Sequence, residues 1–133
     1  MKYEVASGYE KQSFEIAEDR EVNVLLPNPL EVEADESELV CQALRSPIGS
    51  ARLKEIVRPG EKVAVITSDI TRPMPTAKVM PALLDELYEA GVKKEDITLV
   101  FALGSHRKHT DEEKAKLAGE RAWAEICETP LTR

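Results

Sequence analysis

Cysteines and aromatic residues are scarce in this chain of 133 residues, and long apolar runs are missing. Its two cysteines, Cys41 and Cys127, lie far apart and outside any CxxC spacing, so neither a disulfide framework nor a thiolate zinc site is indicated. Aromatics make up 5% of the residues, which implies an aliphatic core and leaves little to stack on nucleic-acid bases. No apolar run approaches the ~18 residues of a membrane helix, and the acidic N-terminal stretch does not resemble a signal peptide. A basic excess is also lacking. The net charge of −7 opposes binding to a phosphate backbone. The expectation is a cytoplasmic protein that engages neither membrane nor nucleic acid.

What charge there is lies unevenly. Residues 1–40 carry a net charge of −8 and residues 41–133 a net charge of +1, so any attraction for an anion belongs to the later part. The length suits one domain. Within it, Phe14 to Ala17 and Val22 to Leu26 are β-type runs separated by charged residues, and predict a hairpin or ribbon over residues 1–30 that ends at Pro27 and Pro29. An α/β core is expected over residues 35–133. Asp35 caps a helix with Leu39, Val40, Ala43 and Leu44 on one face, stopped by Pro47. Leu53, Ile56 and Val57 suggest a further short helix.

The next stretch is more regular. Val63 to Thr67 and Ile97 to Leu103 are continuous apolar runs of strand length, the pattern of strands covered by helices on both faces. Between them, Val79, Met80, Leu83, Leu84 and Leu87 fall on one face of a helix over residues 76–90, with Gly91 as its stop. Because proline inside a helix costs ~3 kcal/mol, the helix either starts at Pro81 or is kinked there. Strand, helix and strand in this order predict a right-handed, parallel βαβ unit. The expected fold is α/β: a Rossmann-like sheet with a parallel βαβ core flanked by helices, plus the N-terminal ribbon. A capping box at Thr110 and Glu113 opens a last helix that reaches Gly119. No closing element is evident after it.

Both apolar runs end in clusters of chemically capable residues. In a parallel sheet these clusters share one rim, the usual ligand position in open α/β folds. After the first run come Asp69 and Arg72, stiffened by Pro73 and Pro75. Arginine offers a planar fork for a carboxylate or phosphate, and aspartate can orient an imidazole or accept a hydroxyl proton. Equally, the two side chains could simply pair at the surface. After the second run, Gly104 permits a positive φ and His106 suits proton transfer near neutrality. His106 and His109 could instead be solvated loop residues, and their His-x-x-His spacing is weak evidence for a metal.

The motifs themselves carry a resemblance. SDITRPMP at residues 68–75 resembles the Asp-x-Thr-Arg-Pro-x-Pro motif of the nickel-pincer lactate racemase family. LGSHR at residues 103–107 is similar to its Gly-Thr-His-Arg motif, with Ser105 for threonine, and SPIGS at residues 46–50 resembles its Asn-Pro-Ile-Gly segment. The resemblance runs from Tyr9 to about Gly119. It implies that His106 is catalytic, exchanging the proton of the C2 hydroxyl of a small 2-hydroxy acid, and that Arg72, Asp69, Thr71 and Arg107 hold the substrate. The implied cofactor is a nickel-pincer nucleotide, nickel pyridinium-3,5-bisthiocarboxylic acid mononucleotide, which accepts and returns the hydride of C2.

The family's cofactor-bearing lysine, second catalytic histidine and nickel-binding histidine lie beyond the matched region, so no metal-binding or cofactor-binding residue is assigned here. The resemblance thus describes residues 1–133 as a single N-terminal domain of a longer isomerase, a 2-hydroxyacid racemase or epimerase. Alone, it is expected to be inactive and to bind no cofactor, and its partner is the missing C-terminal domain. Two other classes remain open from the sequence: a non-catalytic module in which Arg72, Arg107 and strand-end amides bind a carboxylate or phosphate, and a domain that mainly packs against a partner.

Overall fold

The computed structural model describes residues 1–127 and divides into two units, Met1–Glu31 and the remainder from Val32. The first unit is an antiparallel hairpin of β1 (Lys2–Ser7) and β2 (Glu10–Glu15), with Tyr3 stacked on Phe14 at 6.0 Å. This shifts the expected ribbon toward the N-terminus. Phe14 lies in β2, but Val22 to Leu26 form no strand, and Leu25 and Leu26 stay exposed. Tyr3 and Val5 alternate with polar residues before the turn at Gly8, the strand signal that the apolar run at 22–26 overshadowed.

In the second unit, α1 (Glu36–Arg45) starts where Asp35 accepts the Glu38 N–H at 2.8 Å, and α2 (Leu53–Ile56) follows as a single turn. Next come β3 (Val63–Ser68), α3 (Thr76–Glu89) and β4 (Ile97–Ala102), with β3 and β4 paired in parallel as the βαβ pattern requires. The helix α3 begins at Thr76 and runs through Pro81, which excludes a start at the proline. The Pro81 carbonyl accepts from Arg121 Nη1 at 3.1 Å.

Met80, Leu84 and Leu87 of α3 pack with Ile97, Leu99 and Phe101 of β4 in the core. Two short helices close it. The first, α4 (Asp111–Ala118), has the capping box at Thr110 and Glu113, and α5 (Glu120–Ile126) contributes Ala122 and Ile126. The helix α5 was not expected from the sequence, although Ala122 and Ile126 have helical spacing; Gly119 reads as a stop and is in fact the junction of two helices. Its φ of +84° suits glycine, and a Cβ there would meet Ala77 at 2.9 Å. The chain end that follows, Thr129 to Arg133, lies outside the described residues.

The covering of the sheet also differs from expectation. Residues of β3 and β4 alternate between a core-facing set and an outward set, and Ile66 on the outward side is 71% exposed. Among the described residues, then, helices cover one face of this two-stranded sheet, not both. The apolar character of Ala64, Ile66 and Val100 concealed that asymmetry, because a continuous apolar run carries no alternation to read.

Candidate active site

Register builds the rim. Ser68 is paired with Ala102, so β3 and β4 end level and release their loops side by side. The β3 loop is tied at both ends: the Met74 N–H donates to Ser68 Oγ at 2.8 Å, and the buried hydroxyls of Thr67 and Thr76 bond to each other. Pro73 and Pro75 restrict the rest. From β4 the chain turns at once, with the His106 N–H donating to the Leu103 carbonyl at 3.0 Å and Gly104 at φ +57°. The positive φ anticipated at the strand exit is thus what carries His106 back over the rim.

Asp69, the first residue beyond β3, is only 5% exposed. Its Oδ1 accepts from the Thr71 hydroxyl at 2.7 Å and from the Thr71 N–H at 3.1 Å, while Oδ2 is hydrogen-bonded to Nδ1 of His106. The Thr71 hydroxyl first, then His106, hold the Asp69 carboxyl down at about 2, against the cost of burial. Asp69 is therefore an acceptor only, and the shared proton sits on His106 Nδ1. The opposite ring nitrogen, Nε2, has no hydrogen-bond partner among the described residues. His106 is also half exposed, so a small solute can reach it. The surface pairing of Asp69 with Arg72 does not occur.

Arg72 is exposed and has no ion pair or hydrogen bond among the described residues, so its guanidinium is available to an anion. Arg107 is not: its fork grips Glu113 in bidentate fashion at 2.7 and 2.8 Å, and Nη1 also donates to the Lys108 carbonyl. Arg107 and the Thr110 N–H together hold the Glu113 carboxyl at about 2. Of the residues singled out from the sequence, Asp69, Thr71 and His106 are joined directly, and Arg107 is engaged with the start of α4.

His109 was underestimated. It is 7% exposed, not solvated, with its ring edge-on to Phe101 at 5.8 Å and its Nε2 accepting the Ile70 N–H at 3.3 Å. The position just before a helix cap commonly turns inward to pack, a signal present beside Thr110. Each histidine thus spends a ring nitrogen on a different protein group. Among the described residues no set of three His, Cys, Asp or Glu side chains is arranged to hold a metal. Nor is any helix among them long and apolar enough to cross a membrane.

Comparison with known proteins agrees with the motifs. The family model for the lactate racemase N-terminal domain matches residues 7–129. The lactate racemase of Thermoanaerobacterium thermosaccharolyticum is 32% identical over 119 residues, covering 88% of this chain and 28% of that protein. The lactate racemase of Lactiplantibacillus plantarum is 38% identical over 85 residues, 64% of this chain and 20% of that protein. In three dimensions, the structure of the Thermoanaerobacterium lactate racemase apoprotein matches with a TM-score of 0.68 at 29% identity, over 90% of this chain and 27% of that one. The matched part of this chain thus spans only 20–28% of the length of these relatives.

Proposed function

Because the chain belongs to the lactate racemase N-terminal domain family, we propose that it forms the substrate side of the active site of a longer 2-hydroxyacid racemase or epimerase. The observation that carries this reading is the Asp69–His106 pair at the rim, with Arg72 exposed and unpaired three residues after Asp69 on the same loop. Arg72 binds the substrate carboxylate through its fork. The C2 hydroxyl is then presented to His106 Nε2, which takes its proton as a general base and returns it as a general acid. Asp69 fixes the ring as the Nδ1–H tautomer and stabilises the imidazolium that forms when Nε2 is protonated. Thr71 holds Asp69 in place with two hydrogen bonds.

A nickel-pincer nucleotide held by the rest of the longer protein would supply the hydride chemistry at C2. No residue of this chain is assigned to holding that group in this reading. The chain's part is confined to binding the carboxylate and moving the hydroxyl proton. In this reading the isolated chain racemises nothing, because the hydride chemistry belongs to the rest of the longer protein.

A non-catalytic anion clamp would use Arg72 in the same way and leave His106 idle. Calorimetric titration of the chain with lactate, malate and phosphate, alongside kinetics of the full-length protein, separates the two. In the racemase reading, Arg72→Ala weakens 2-hydroxy acid binding, while His106→Ala spares binding and removes turnover. Turnover that survives His106→Ala would leave only the clamp.

A further inference from the structure

The proton chemistry proposed above makes no use of His109, yet the fold buries its ring directly behind the reactive loop. Its Nε2 accepts the Ile70 N–H at 3.3 Å, and its Nδ1, also buried, has no hydrogen-bond partner among the described residues. An imidazole accepts at Nε2 only when that nitrogen is unprotonated, so the ring is the neutral Nδ1–H tautomer. A buried donor left unpaired is unfavourable, and an apolar side chain could fill the same space against Phe101 without that penalty. What an apolar side chain could not supply is the acceptor for Ile70.

That acceptor has a specific mechanical effect. The Ile70 N–H belongs to the peptide unit attached to Asp69 Cα, so fixing it fixes the backbone rotation that aims the Asp69 side chain. The two bonds from Thr71 fix the carboxylate itself. We propose that His109 is a positioning residue, which anchors the Asp69–Ile70 peptide and so keeps the Asp69 carboxylate on His106 Nδ1. The anchoring stands on the geometry alone; its consequence for turnover rests on the racemase reading.

Two substitutions separate anchoring from packing. His109→Leu fills the space without an acceptor, whereas His109→Gln can place an amide oxygen near the position of Nε2. Two readouts follow on the chain itself: amide hydrogen exchange at Ile70, and the His106 tautomer from long-range proton–nitrogen correlation spectra. In His109→Leu, Ile70 exchange should rise at least about 10-fold through local opening while core amides such as Leu99 keep their protection. His106 should at the same time pass from one Nδ1–H tautomer to a mixture. His109→Gln should restore both.

Unchanged Ile70 exchange and tautomer in His109→Leu would overturn the proposal. So would an equal loss of protection at Leu99, or a folded His109→Gln that restores neither readout. If His109→Leu does not fold, the Gln variant decides. In the full-length racemase, His109→Leu should lower kcat with little change in KM, and His109→Gln should recover it. Should the spectroscopic readouts move while kcat does not, anchoring stands and the racemase role of His106 fails.

Discussion

Asp69 owes its properties to two partners, Thr71 and His106. Asp69→Asn keeps the size of the side chain but not the charge that holds the His106 tautomer. Under the proposed racemase function it should lower kcat of the full-length protein by on the order of 10²-fold or more, by analogy with other histidine–aspartate pairs. Arg72 and Arg107 should separate in the same assay. Arg72→Gln removes a free guanidinium and should raise KM by about 10-fold or more, whereas Arg107→Gln removes a fork already spent on Glu113 and should raise it far less. At this scale the sequence was readable where a side chain acts close to its own strand end, as Asp69 and His106 do. It was opaque where the partner could not be read from residue type: the bond of Arg107 to Glu113, only six residues on, has no motif of its own, and His109 looks like any loop histidine until Ile70 is brought beside it.

Among the elements, α3 and its neighbours carry the rim, and their packing sets how far it tolerates change. Leu84 is fully buried, so Leu84→Ala should cost about 2–5 kcal/mol in denaturant unfolding. Gly119→Ala combines a strained φ with a backbone approach to Ala77, and should also destabilise, by about 1–3 kcal/mol. Ile66→Ser, on the open face of the sheet, should stay within about 0.5 kcal/mol in the same measurement. The βαβ unit was legible because two short, continuous apolar runs flank a helical stripe of apolar residues. The hairpin was misplaced because the most apolar residues of the first unit are not the ones that pair. The last helix was hidden by a glycine that serves as the junction of two helices.

For the molecule as a whole, acid stability follows from the carboxylates of the rim and of the α4 cap. Asp69 and Glu113 are both held at about 2, below the ordinary carboxylate values of ~4. The folded state therefore binds their protons less readily than the unfolded chain does. Their contribution is complete above the ordinary values and is lost as pH falls through about 2. Thermal unfolding across this range should show a Tm that declines below about pH 4, and a shallower decline in Asp69→Asn and Glu113→Gln. The comparisons set the larger frame, since this chain matches about a quarter of its relatives' length and the proposed racemase function concerns a longer protein. The most direct test of the account is racemisation of D- and L-2-hydroxy acids by the full-length, cofactor-loaded protein with and without His106→Gln. We expect kcat to fall by at least about 10²-fold in both directions, as for loss of a general acid–base residue. A His106→Gln enzyme that racemises at the wild-type rate would contradict it.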